Sequence, residues 1–153
     1  TACHAVDRAR LLSRARGAAW HHRAVEEMTG DYAIRAGGWD PRYAVVRAVV
    51  SDDRVAAALI DPNGDGGSID LDEYVRGPDG GWVAQSSGGG AGDSGTSWSP
   101  TMVATYGRTA PGASVLVDYC GQTYSLTADQ DGWWLFAAQS LDDHTMPGSR
   151  SAE

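Results

Sequence analysis

Between Asp61 and Trp82 the chain reads DPNGDGGSIDLDEYVRGPDGGW, the densest acidic and glycine punctuation in the sequence, set between two apolar segments. Within it Ile69, Leu71 and Val75 alternate with Asp70, Asp72, Tyr74 and Arg76, the period of two that marks a strand with one face in a core. Glu73 alone spoils the inner face. Gly77-Pro78 ends any helix there, because proline fixes φ and removes a backbone donor. Pro78 to Gly81 is turn chemistry that opens a second strand at Trp82. On this reading Asp61 to Gly67 is the solvated loop of a hairpin.

The same stretch supports a second chemistry. Asp61, Asn63 and Asp65 offer side-chain oxygens at alternate positions, Gly66 permits a sharp turn, and Asp70 and Glu73 follow. A hard cation needs about six to eight such oxygens. The run resembles an EF-hand loop, and the resemblance implies calcium held by Asp61, Asn63, Asp65, Asp70 and Glu73. Gly67 displaces Ser68, Ile69 and Glu73 by one place from that pattern, and only Tyr74, Val75 and Arg76 stand where the outgoing helix should begin. The strand reading therefore leads, with calcium as the alternative.

Strand patterns continue on both sides. The run RYAVVRAVV from Arg42 to Val50 is apolar and β-branched, with Ala44, Val46, Ala48 and Val50 expected on one face. Ser51 to Asp53 turns it into Val55–Ile60; the alternative there is a short Ala-rich helix capped by Asp53. These strands and the hairpin at 68–85 make a first β part over 40–86. Ser86 to Pro100, SSGGGAGDSGTSWSP, has the composition of a flexible linker, assigned to 87–100. Short strands at 102–107, 114–119, 123–127 and 133–138, divided by turns, make a second β part over 101–139. The tail 140–153 is expected to be disordered, with His144 solvated. The fold class is thus mainly β: two small antiparallel meanders joined by a Gly/Ser linker, with an N-terminal helix loosely attached.

That helix is placed by Leu11, Ala15, Ala18, His22, Val25 and Met28 at helical spacing. Residues 1–27 hold five Arg against three acids, +2, and residues 28–153 seven against seventeen, −10, which sum to the net −8. The shift coincides with Met28-Thr29-Gly30-Asp31, an ordinary start, so residues 1–30 are read as an N-terminal helix or an extension foreign to the fold.

The charge of −8 argues against nucleic-acid or anionic-membrane partners, which need concentrated positive charge. All twelve basic residues are arginine, a mark of high-GC coding. Cys3 and Cys120 can form one disulfide at most and no zinc site. With no apolar run of membrane-spanning length and no secretory leader pattern, the cytoplasm is the default.

Gly92-Asp93-Ser94-Gly95 resembles the nucleophile motif of chymotrypsin-like serine proteases, and Ala18-Ala19-Trp20-His21 their histidine motif. The chain is too short for the two barrels those enzymes close, and the residues after Ser94 leave the pattern, so no protease is expected. The two-part layout also resembles β proteins of high-GC bacteria, a resemblance that implies no particular activity. Asp79-Gly80-Gly81-Trp82 and Asp131-Gly132-Trp133-Trp134 echo one another, each opening a strand.

Trp133, Leu135 and Ala137 face one way and Trp134, Phe136 and Ala138 the other. Such a strand is buried on both faces or presents one to a partner. The leading functional expectation is a non-enzymatic β domain that binds a protein or small ligand, or a second copy of itself, with Trp134 and Phe136 as exposed anchors.

Overall fold

In the computed structural model the described residues are 26–90, 92–141 and 144–152. The helix expected from Ala5 to Met28 falls almost wholly outside them, as do His21 and Cys3. A helix not foreseen from the sequence follows directly, α1 (Gly30–Gly37). Thr29 caps it, its hydroxyl accepting from the Tyr32 N–H at 3.1 Å, and Gly38 closes it in the left-handed conformation. Among the described residues no helix is long and apolar enough to cross a membrane.

Ten strands follow: β1 (Val45–Ser51), β2 (Val55–Asp61), β3 (Ile69–Arg76), β4 (Trp82–Gly90), β5 (Ser94–Trp98), β6 (Met102–Arg108), β7 (Ser114–Tyr119), β8 (Gln122–Thr127), β9 (Trp133–Gln139) and β10 (Gly148–Ser151). They form three antiparallel sheets, ordered β1-β2-β3-β4, β5-β6-β9 and β10-β7-β8. The fold is mainly β, as the punctuation and alternation predict.

The sheets stack in layers because three strands are apolar on both faces. On β2, Val55, Ala57 and Leu59 pack against Met102, Ala104, Trp133 and Leu135 of the middle sheet. Ala56, Ala58 and Ile60 meet the other cluster, with Ala33 of α1, Tyr74 and Trp82. On β6 and β9, Val103, Trp134 and Phe136 pack against Val115, Val117 and Tyr119 of the third sheet. Fully burying a side chain such as Leu59 or Ile60 contributes roughly 1.5–3 kcal/mol, and both are fully buried.

Four expectations are corrected. The segment read as a linker is built into two strands, since Ser86–Gly90 completes β4 and Ser94–Trp98 is β5. Its glycines answer to close approach: a Cβ on Gly89 would lie 2.3 Å from the Ile69 carbonyl oxygen, and one on Gly95 2.6 Å from the Tyr106 ring. The second β part is not a meander, because β6 pairs with β9 while the β7–β8 hairpin folds across them as a separate layer. That hairpin covers the face of β9 which the first sheet leaves bare. The tail carries β10, paired with β7 and held by an Arg150–Asp118 ion pair at 3.1 Å, and His144, though exposed, stacks on Trp98 with ring centroids 4.5 Å apart. Finally, Ala44, Val46, Ala48 and Val50 do not share one face. A bulge at Arg47 shifts the register, so Ala44 and Val46 join the α1 side while Ala48 and Val50 join the core between sheets.

Candidate functional site

The structure separates the residues expected to bind calcium. Asp61, fully buried at the end of β2, accepts from the Gly64 and Gly66 N–H groups at 2.8 Å each and from Arg47 Nη2 at 2.6 Å. Burial pushes its carboxyl up, and Arg47 with the two N–H groups more than reverses this, leaving it below the usual carboxylate range. Asp65 accepts from the Gly67 N–H at 2.8 Å, and Asn63 is exposed. Asp70 and Glu73 lie three apart on one strand, so their side chains leave opposite faces. Among the described residues no three acidic, histidine or cysteine side chains gather as a metal centre. The loop is the hairpin connection between β2 and β3, with both Asp61 oxygens and Asp65 Oδ1 occupied by its own backbone and by Arg47.

The expected anchors are placed differently as well. Trp134 and Phe136 are buried between the middle and third sheets, with Phe136 against Tyr124 at 4.9 Å and Tyr119 at 6.0 Å. The cause is the β7–β8 hairpin, which gives that face of β9 a cover from within the chain.

Glu73 remains, the residue that breaks the apolar face of β3. By alternation it points with Ile69 and Leu71 toward the middle sheet, and it is only 2% exposed. Its Oε2 accepts from the Ser86 hydroxyl; its Oε1 is buried and has no hydrogen-bond partner among the described residues. A buried acceptor left so costs about 1–3 kcal/mol, and more when charged.

A cleft of about 330 Å³ opens beside it. One wall is β4, Ser86 to Gly89; the other is β5, Gly95 to Ser97, with Leu71, Glu73 and Tyr106 also lining it. The cleft exists because β4 and β5, successive in sequence, belong to different sheets: among the described residues β4 pairs only with β3, and β5 only with β6. Asp70 stands behind the Gly89 wall, where a Cβ on Gly89 would meet its Oδ1 at 2.5 Å, and it does not line the cleft. Burial raises the Asp70 carboxyl above its ordinary range, helped by the charge of Asp72. Burial, then the Asp70 charge, likewise raises the Tyr106 phenol.

Two other places lack this combination. A cleft of about 560 Å³ lined by Arg54, Arg76, Thr101 and Ser140 lies at the seam of the first two sheets. Its Arg76 is committed, donating to the Glu26 and Gly80 carbonyls at 2.7 and 2.9 Å and stacking on Trp82 at 3.5 Å. Asp72 also has a bare buried oxygen, Oδ1, but its Oδ2 is held by Trp39 Nε1 at 2.7 Å and the Tyr74 hydroxyl at 3.3 Å, and neither cleft reaches it.

Searches against protein-family models, curated proteins and solved structures find no match to this chain. The site therefore rests on its own geometry. Sequence reasoning passed over Ser86, Gly89, Gly95 and Tyr106; the signal that leads to them is the carboxylate standing alone at an inward position of β3.

Proposed function

We propose that this protein is a non-enzymatic ligand-binding domain whose ligand places a cationic, hydrogen-bond-donating group against Glu73 in the cleft between β4 and β5. The observation that carries this reading is Glu73 Oε1, buried and unpartnered among the described residues, on a residue that lines an open cleft. A carboxylate there accepts strongly from an ammonium or guanidinium group. The walls are glycine, serine and threonine, which leave main-chain donors and acceptors open to a ligand. The volume sits at the low end of the range of about 300–1,000 Å³ for small-ligand sites.

The test is an NMR titration with n-butylammonium and guanidinium. Saturable shifts at Gly88, Gly89 and Gly95 are expected, and Glu73→Gln should abolish them. Shifts that persist in that variant, or none at all in the native chain, reject the reading. Glu73→Met should raise the melting temperature while ending binding, because a carboxylate kept for a ligand is held at a cost to stability of about 1–3 kcal/mol.

A further inference from the structure

The two walls of the cleft are strand edges. β4 is the last strand of the first sheet and β5 the first of the middle sheet, so among the described residues each has one side without a strand partner. Every second residue of such an edge directs its N–H and C=O outward. Seven consecutive-strand residues of these edges, Ser86–Gly89 and Gly95–Ser97, face the cleft. Six of the seven are glycine or serine, with little side chain to hide the backbone, and at Gly88 a Cβ would meet nothing within 4 Å.

We infer that the ligand is a short extended peptide segment that pairs with the β4 edge and inserts one lysine or arginine side chain toward Glu73. This rests on the proposed role of Glu73 as ligand acceptor. Main-chain pairing supplies a ladder and one pocket supplies selectivity, the division of labour in strand addition. The length follows from the walls: Ser86 to Gly89 spans roughly 10 Å at about 3.3 Å per residue, room for three to four paired residues. The last residue of β4, Gly90, bounds one end, and the Thr101 hydroxyl, donating to Gln85 Oε1 at 2.8 Å, bounds the other. Charge selects the same partner, since the chain carries −8 overall and Glu73 lines the cleft.

Three synthetic probes test this with the full chain, by calorimetry and amide hydrogen exchange: acetyl-Thr-Val-Lys-Val-Thr-amide, its counterpart with norleucine for lysine, and its counterpart N-methylated at alternate amides. The lysine peptide should bind at least about tenfold more tightly than either counterpart and slow exchange between Ser86 and Gly90. Glu73→Gln should bring the lysine and norleucine peptides level. If n-butylammonium binds as tightly as the lysine peptide and N-methylation changes nothing, the peptide inference is overturned while Glu73 stays an acceptor. If neither n-butylammonium nor any peptide binds, both are overturned.

Discussion

Replacing Arg47 with methionine removes an ion pair that links the two halves of the chain. Arg47 donates Nη2 to Asp61 in the first sheet and Nη1 to Asp131 in the turn before β9, each at 2.6 Å. The two contacts differ in environment, Asp61 being fully buried and the Asp131 side chain 45% exposed. An exposed pair contributes about 0.2–1 kcal/mol. Breaking a buried pair costs about 3–5 kcal/mol, because the remaining charge is left uncompensated. Asp61 keeps the Gly64 and Gly66 N–H groups, which places the expected loss near the lower end, at about 3 kcal/mol. For a chain of this size that is a fall in melting temperature of about 6–12 °C. Adding Asp61→Asn should recover most of it, since the charge then disappears with its partner. The pH dependence follows from the depressed Asp61 carboxyl: its stabilisation is present above the unfolded value near pH 4 and is lost as pH falls through the lower folded value. The gap between native and Arg47→Met should therefore be widest near pH 7 and narrow toward pH 3 in urea melts. A loss below about 1 kcal/mol at pH 7, or a gap that does not change with pH, would refute the argument.

Trp134→Ser should destabilise the chain by about 3–5 kcal/mol through the cavity it leaves, read as an earlier urea midpoint; an unchanged midpoint would mean that the third sheet does not cover β9. In an alkaline absorbance titration Tyr74 and Tyr106 should ionise above the ordinary phenol value near pH 10, because burial raises both phenols before Asp72 and Asp70 add their charges. The linked stability is full below the unfolded value near pH 10 and lost as pH rises beyond it, so ionisation of Tyr74 or Tyr106 near pH 10 would contradict its burial.

What was legible followed from alternation. The hairpin around Asp61–Gly67, the turn before Trp82 and the two apolar faces of β9 all follow from which positions are apolar, although Trp134 and Phe136 were expected exposed and are buried, and Glu73 marked itself by breaking the pattern. Alternation does not say which strands pair. The second part could therefore be read as a meander, whereas the chain needs β7 and β8 as a cover for Trp134 and Phe136. The bulge at Arg47 was hidden because one unpaired residue inverts every later side chain without altering composition. Glycines 88–90 and 95 were read for their flexibility, while at Gly89 and Gly95 the governing fact is the close packing of Ile69, Asp70 and Tyr106. The cleft was invisible for the same reason, since its walls lay inside the supposed linker.

The double burial of β9 also sets a schedule for synthesis. The first sheet can form its own ladder early, yet the face carrying Val55, Leu59 and Leu71 is covered by Trp133 and Leu135. Leu135 leaves the ribosome about 75 residues after Leu59, an interval of roughly 4–15 s at translation rates of about 5–20 residues per second. During that wait the nascent chain presents an unprotected apolar sheet, the kind of surface that holding chaperones shield. Ribosome-bound chains ending before Trp133 should be the ones that such chaperones retain.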